Sequence, residues 1–445
     1  MKAVATAVQD ASPHGIAAAI ARLITSGELA PGDRLPTVRE LAADLGVSPA
    51  TVSHAWKALS SVGLIVSRGR SGSFVTASQR KWLPPRFQGL ADQLEATRLD
   101  LSTGTPDPDL LPALGPAFSR VSTRAGTTSY LDPPVIPELE QLLRETWTYD
   151  VEALTVVDGA LDALSRTIEL VVRYGDRVVV EDPGFPPIFD LLDHFGAVRV
   201  PVGLDESGMR PDLLAEALKV RPTVVVLQPR AQNPTGRSLS RARAEELARV
   251  IRRSRQASDV IVIEDDHSGG IAATRDVSLG SWLPGQVLHI RSFSKSHGPD
   301  LRIAAVGGRA ELIDRLVARR ILGPGWTSRM LQTMLHDLLT NSTSVSEVSD
   351  ARRIYRARQR ALSDALAVEG MQVPPADGIN TWLAVADERS AIVQLAAAGI
   401  RVAAGLPFQS ATPVQTQGGF IRVTAGLVRE DFGSVAANLA AAALA

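Results

Sequence analysis

Arg291-Ser-Phe-Ser-Lys-Ser-His-Gly-Pro-Asp-Leu-Arg302 follows an apolar run, Val287-Leu-His-Ile290, that reads as a short buried strand, and breaks at the Gly298-Pro299 turn. A strand that opens into a polar, turn-rich loop is where α/β proteins place reactive groups. Lys295 stands in the middle of that loop. The chain holds only five lysines (Lys2, Lys57, Lys81, Lys219 and Lys295) against 47 basic residues in all, so the rest are arginine. A primary amine forms a Schiff base with an aldehyde; a guanidinium does not. Taken alone, a lysine is more often a solvated surface cation than a reactive amine, so the residues around Lys295 decide between the two readings.

Outward from this stretch, strands and helices alternate. Apolar β-branched runs at Arg177–Glu181, Thr223–Leu227 and Val260–Ile263 are separated by helical patterns at Ala163–Arg173, Ile188–Phe195, Asp212–Lys219 and Arg241–Arg255. Continuous rather than alternating apolar strands mean a mostly parallel sheet with helices on both faces. Ligands of such sheets sit beyond the carboxyl ends of the strands. The polar residues fall there: Asp158-Gly-Ala-Leu161 opening a helix, Glu181-Asp-Pro-Gly-Phe185, Gln232-Asn-Pro-Thr-Gly236, Glu264-Asp-Asp-His267 and Lys295 itself. Strand alternation puts only Asp265 and His267 of their cluster on one side, which argues against a metal site, and no metal is expected.

Across all 445 residues the apolar share is 45%, the charged share 21% and the net charge -1, as suits a soluble chain of two or three folding units. Cysteine is absent, which excludes disulfides, thiolate catalysis and zinc–cysteine sites. No apolar run approaches bilayer length and no basic-then-apolar leader pattern opens the sequence. The expectation is a cytoplasmic protein without a membrane partner. Charge is uneven: residues 1–81 carry nine cations and five anions, a basic head on an acidic body that points to a polyanion partner for the head alone.

The head has its own pattern. Ile16, Ile20, Leu23 and Ile24 stripe a helix from Pro13 to Ser26. Thr37 with Glu40 makes a capping box for a helix from Val38 to Leu45. Gly46-Val47 turns the chain, and Ser48 caps a helix that begins at Pro49. Leu64–Ser67 and Ser73–Val75 then form a hairpin around the basic tip Arg68-Gly-Arg-Ser-Gly72. Two short helices across a glycine turn followed by a hairpin describe a winged helix-turn-helix. Residues 10–76 form this unit. Residues 77–97, with Pro84-Pro85 and clustered charge, read as a linker, and 98–445 as the α/β part.

The head resembles the GntR family of winged-helix regulators, through Ser26-Gly-Glu-Leu-Ala-Pro-Gly-Asp-Arg-Leu-Pro36, Arg39-Glu-Leu-Ala42, Leu45-Gly-Val-Ser48 and Thr51-Val52. That resemblance places Arg34, Arg39, Ser48, Thr51, Ser53, Arg68, Arg70 and Gly72 at double-stranded DNA. Pro49 and Ser53 stand where the family often carries arginine.

The larger part resembles fold-type I, class I aminotransferases, with a smaller C-terminal α+β subdomain. The resemblance implies pyridoxal 5'-phosphate as cofactor. Lys295 would then form the Schiff base, Asp265 pair with the pyridine nitrogen, Asn233 and His267 approach the ring hydroxyl, and Phe185 stack on the ring. Gly159, Ala160, Ser292, Ser294 and Arg302 would cradle the phosphate, Tyr130 reach the partner's phosphate, and Arg422 hold a carboxylate of the effector. His267 stands where the family carries tyrosine, Leu161 where glutamine is frequent, and Val135 where glycine is usual.

The two parts together are similar to the MocR subgroup of GntR regulators. It implies a DNA-binding transcriptional regulator that senses pyridoxal phosphate or an amino compound through an aldimine at Lys295. It also implies a head-to-tail homodimer on paired half-sites. The alternative is a working aminotransferase with a fused DNA-binding head.

Overall fold

The computed structural model describes residues 2–8, 10–25, 28–30, 32–61, 65–67, 71–75, 84, 86, 98–121, 129–255, 258–410 and 418–444. The chain divides into two compact units, Met1–Gln88 and Gly89–Ala445. Most of the expected linker, and the wing-tip residues Arg68 and Arg70, lie outside the described residues.

In the first unit, helices Pro13–Thr25, Val38–Leu45 and Pro49–Ser61 pack around Ile16, Ile20, Leu41, Val52, Ala55 and Leu59, all at most 2% exposed. The capping box forms as the spacing predicts. The Glu40 amide donates to Thr37 Oγ1 at 3.2 Å, and the Thr37 amide donates to Glu40 Oε2 at 2.7 Å. Gly46 closes that helix in the left-handed region (φ 65°), where a side chain would be strained. Strands β1 (Ile65–Ser67) and β2 (Ser73–Val75) pair antiparallel as the wing.

The second unit is built on an eight-stranded sheet. After β3 (Leu99–Asp100) come β4 (Ala153–Val157), β5 (Arg177–Asp182), β6 (Val198–Asp205), β7 (Gly208–Met209), β8 (Val224–Leu227), β9 (Ile261–Asp266), β10 (Val287–Ser292) and β11 (Ala304–Gly308). The spatial order is β4-β11-β10-β9-β8-β5-β6-β7. Only β11 and β7 run against the rest. Strand β11 was not anticipated: Ala304-Ala-Val-Gly-Gly308 has little β-branched character. It pairs because its glycines admit bulky neighbours, and a Cβ on Gly307 would lie 2.6 Å from the Trp147 ring.

Alternation along the strands builds two cores. Val178, Val180, Val226, Ile263 and Ile290 face the helices Ala160–Val171, Pro186–His194 and Ala310–Ile321. Val179, Val225, Val262 and Val287 face Pro211–Leu218 and Arg241–Arg253. Each fully buried valine contributes about 1.5–3 kcal/mol against exposure.

The smaller subdomain packs β12 (Thr381–Val385), β14 (Ala403–Ala404) and β15 (Gly419–Val423) as an antiparallel sheet against the helices Glu388–Ala397 and Phe432–Ala443. Strand β13 (Ile400–Arg401) pairs parallel with β3, so the start of this unit joins its end. The 27-residue helix Ser342–Val368, capped by Asn341, joins the two subdomains. Its Tyr355 packs with Ile271 of the large subdomain, and its Leu362 and Leu366 enter the small one.

Candidate functional site

Strand β9 runs on to Asp266, three residues past the expected end at Ile263, because β10 continues to pair with it: Ile290 lies opposite Asp265 and Arg291 opposite Asp266. The pleat then sorts three acids. Asp265 shares a face with Ile263. Glu264 and Asp266 point the other way: Glu264 accepts from Ser278 and lies 2.7 Å from His289 Nδ1, while Asp266 takes Arg230 at 2.5 Å.

Asp265 is 1% exposed. Its Oδ2 accepts from Gln228 Nε2 at 2.7 Å, and its Oδ1 has no partner among the described residues. Burial pushes its carboxyl up to about 6. Gln228, which follows β8, is fixed in turn. Its amide donates to Glu181 Oε2 at 3.1 Å, and its Oε1 accepts from the Asn233 amide at 2.8 Å. Burial raises Glu181 to about 8, so it is mostly protonated at neutral pH.

The expected loop around Lys295 contains a short helical turn, Ser294–His297. The Lys295 amine donates to the Gly104 carbonyl. Burial, then the charge of Arg422, lowers it to about 8, which puts a reactive neutral fraction within reach of neutral pH. Arg422, 2% exposed on β15, donates from Nη1 to Asn233 Oδ1 at 3.3 Å and from Nη2 to the Ser102 carbonyl; its Nε has no partner among the described residues. Its guanidinium stands 5.1 Å over the Phe408 ring, and burial lowers it to about 10. Gly104 (φ 61°) sits against it, and a Cβ there would meet Nη1 at 2.9 Å. Lys295, Asp265, Asn233 and Arg422 are thus tied through Gln228, Ser102 and Gly104, three residues that sequence reasoning missed.

His267 is half-buried, and burial lowers its ring to about 4, so it is neutral. Nε2 meets the Ala231 carbonyl at 3.0 Å and Nδ1 meets Ser268 Oγ at 2.9 Å. A contact from this ring to a cofactor hydroxyl requires exchanging one of these partners.

The residues expected at the phosphate lie where β4 enters the Ala160–Val171 helix. Gly159 (φ 101°) is its N-cap and offers no side chain, so the first-turn amides are left for an anion. Arg302, itself left-handed at φ 51°, donates to the Asp158 carbonyl at 3.0 Å and crowds Gly159, where a Cβ would lie 2.9 Å from its Nη2. Ser292 Oγ accepts from the Ser294 amide at 3.3 Å. Asp158 is held by Arg320, 2% exposed, at 2.9 Å and by Thr327 Oγ1 at 2.7 Å. This support also escaped the sequence reading. Phe185 is half-buried at the start of the Pro186–His194 helix. Leu161 and Val135, the two other departures, pack into core. Tyr130 is 89% exposed, edge-on to Trp326 at 5.8 Å.

Pyridoxal 5'-phosphate, the cofactor this fold implies, fits the donor set. Asp265 offers a buried unpartnered oxygen to a protonated ring nitrogen, Lys295 a half-buried amine, and Arg302 with the helix N-terminus a dianion cradle. Asn233 and Phe185 stand at the neighbouring strand ends.

The DNA-facing candidates lie on the first unit. Arg34, Arg39, Ser48 and Ser53 are exposed and Thr51 is half-buried. Ser48 Oγ is occupied as a cap, accepting from the Thr51 amide at 3.2 Å and lying 2.9 Å from Thr51 Oγ1. Arg34 lies over Gly72 (φ 104°), where a Cβ would approach its Nε to 3.0 Å. His54 and Lys57, exposed beside Ser53 on the outer face of the Pro49–Ser61 helix, were passed over. Lys57 stands i+4 from Ser53 and i+3 from His54, and that spacing carries the signal.

A winged helix joined to an aminotransferase-like domain defines a class of DNA-binding transcriptional regulators. The family described as "Aminotransferase class I and II" matches residues 96–439, and "Bacterial regulatory proteins, gntR family" matches 14–75. The vitamin B6 salvage pathway transcriptional repressor PtsJ of Salmonella typhimurium is 36% identical over 364 residues, 81% of this chain and 82% of that protein. The regulator TauR of Rhodobacter capsulatus is 27% identical over 90% of each chain. The pyridoxine biosynthesis regulator PdxR of Corynebacterium glutamicum is 26% identical over 88% of this chain and 87% of its own. Among solved structures, the α-aminoadipate aminotransferase LysN of Thermus thermophilus matches with a TM-score of 0.70 at 22% identity, over 82% of this chain and 98% of that one, a likeness of fold. The chain belongs to the GntR regulators with an aminotransferase-like domain, the MocR subgroup. It is a transcriptional regulator, which decides against the reading of an aminotransferase with an incidental DNA-binding head.

Proposed function

We infer that pyridoxal phosphate is a ligand through which this regulator adjusts transcription, held at Lys295 and read out as a change in DNA affinity of the winged helix. The observation that carries this is the buried, unpartnered Oδ1 of Asp265, in one connected set with the Lys295 amine. A buried carboxylate oxygen left without a donor is costly unless a ligand supplies one. When bound, the cofactor supplies an aldehyde and an electron-withdrawing ring; the protein holds the ring nitrogen's proton at Asp265 and anchors the phosphate at Arg302 and Gly159–Ala160. The names of two relatives, which concern vitamin B6, support the cofactor itself as effector.

A second ligand, an amino compound with a carboxylate, is favoured by one further observation. Arg422 Nε is buried without a partner among the described residues, and two of the group's remaining donors already fix its direction. Such a compound would be accepted at Arg422 beside Lys295.

The working form is a homodimer, with Tyr130 reaching the partner's phosphate. Tyr130, Leu131 (94% exposed) and Leu322 (83% exposed) are large apolar side chains in water, as expected of surface meant for a second copy. The dimer reads paired half-sites in double-stranded DNA. The site of action is the cytoplasm; among the described residues no helix is long and apolar enough to cross a membrane.

The test is a titration of purified protein with pyridoxal phosphate, followed by visible absorbance beside Lys295→Ala. A saturable band in the wild type that the variant lacks supports the reading. Equal spectra for both proteins refute it.

A further inference from the structure

Behind the turn that carries Lys295 lies a cleft of about 450 Å³. Lys295 points to Gly104, whereas Ser292, Phe293, Ser296 and His297 line this cleft. Its apolar wall comes from three helices: Leu142 and Leu143 of Pro137–Glu145, Leu338 and Leu339 of Arg329–Thr340, and Val348 of Ser342–Val368.

The other wall is cationic. Arg230, Arg291 and Arg352 line it, with Asp276 as its acidic member. Arg230 is neutralised, since it pairs with both Asp266 and Asp276. Arg291 and Arg352 make no ion pair of this kind. Arg291 donates to Thr146 O at 2.7 Å and Thr146 Oγ1 at 3.1 Å, with its guanidinium 4.5 Å from the Trp147 ring centroid. Arg352 donates to the Gly270 carbonyl from Nε at 3.2 Å and Nη2 at 3.1 Å. Neither has a carboxylate within ion-pair distance among the described residues. Neutral partners fix both groups in direction; Arg291 is also attracted by Asp266 and Asp276, so across the three arginines and these two aspartates one positive charge is left over beside an apolar wall. That combination suits an anion with an apolar body.

We propose that this cleft is a second small-molecule site, taking a carboxylate with a medium-length acyl or aromatic body, its head met by Arg291 and Arg352 and its body by the leucine wall. Occupancy bears on the Lys295 turn. Gly270 is pressed against Ser296, where a Cβ would lie 2.4 Å from the serine Cβ, so the cleft wall and the turn move together. The cleft ligand therefore changes the affinity for pyridoxal phosphate, and the reverse follows by reciprocity. This coupling rests on the cofactor reading above; binding in the cleft does not.

The test uses full-length protein with anilinonaphthalenesulfonate as a fluorescent reporter, displaced by octanoate or by octylammonium. Octanoate displaces it at least about tenfold more effectively than octylammonium, as expected of charge-assisted contacts. Leu339→Trp, which fills the cleft from a partly buried position, and Arg352→Gln, at an exposed one, each weaken octanoate while circular dichroism stays that of the wild type. Lys295→Ala binds octanoate as the wild type does, which keeps this test independent of the cofactor. Equal displacement by both amphiphiles, or octanoate binding untouched by both cleft variants, overturns the site. If octanoate binds but leaves the half-saturation concentration of pyridoxal phosphate unchanged in wild-type protein, the coupling is overturned and the site stands.

Discussion

Replacing Asp265 by asparagine should move stability and ligand affinity in opposite directions. The side chain keeps its shape, and its remaining oxygen still accepts from Gln228 Nε2. What disappears is a buried negative charge. In the cofactor-free protein that charge is a burden: burial lifts the carboxyl from 3.8 to about 6. A rise of that size corresponds to at most about 3 kcal/mol at neutral pH. The sign follows from the direction of the shift. A carboxyl whose folded pKa lies above its unfolded value costs nothing while protonated in both states, below the usual carboxylate range, and its full cost is reached as pH rises past about 6. Cofactor-free Asp265→Asn should therefore melt a few degrees higher than wild type near neutrality, and the gap should narrow as the pH falls below about 6 and close toward the ordinary carboxylate value of 3.8. With pyridoxal phosphate present the order reverses. Loss of the ionic partner to the ring nitrogen removes about 1.5–3 kcal/mol of binding, roughly ten- to hundredfold in affinity. Differential scanning fluorimetry across pH and an absorbance titration read the two halves. A variant less stable than wild type without cofactor, or one that binds the cofactor equally well, refutes the assignment of Asp265 as a charge kept for a ligand.

Three other perturbations bear on separate parts of the molecule. Gly159→Ala forces a Cβ to 2.9 Å from the Arg302 guanidinium at φ 101°; cofactor affinity should fall by about tenfold, and normal affinity would show that the phosphate lies elsewhere. Arg39→Ala, at an exposed position, should weaken DNA binding uniformly across sequences and make the slope of log K against log salt shallower by about 0.9, readable by anisotropy; an unchanged slope removes Arg39 from the phosphate contacts. Leu131→Asp places a charge on a residue 94% exposed in the single chain. Light scattering should report dissociation of the dimer, and an intact dimer would mean that this surface is not the interface.

Much of the architecture was legible because it rests on local chemistry. The capping box at Thr37 and Glu40 sets the start of its helix to the residue, and continuous valine runs announce a buried parallel sheet. The pleat also separated Asp265 from Glu264 and Asp266 as alternation requires. What was not legible arises from long-range juxtaposition. Lys295 meets Gly104 across 191 residues, and Arg422 meets Ser102 across 320. Nothing in Thr103-Gly-Thr-Pro106 announces more than a turn. Gln228 follows a strand as one more polar residue, and its role shows only when Glu181, Asn233 and Asp265 converge on it. Arg320 could not be read as buried, since arginine is seldom buried unless paired, and its partner Asp158 lies 162 residues away. Strand β11 escaped because small residues carry no β signal until Trp147 packs on them.

A ligand at Lys295 that sets how tightly the winged helix holds DNA, as proposed above, has a direct consequence for binding. The direct measurement is the affinity of wild-type and Lys295→Ala protein for a duplex selected by the protein from a randomised pool, with and without saturating pyridoxal phosphate. A severalfold change in wild-type affinity is expected on adding the cofactor, and none in Lys295→Ala. Identical affinities in the wild type with and without it, or the same response in both proteins, would contradict the claim.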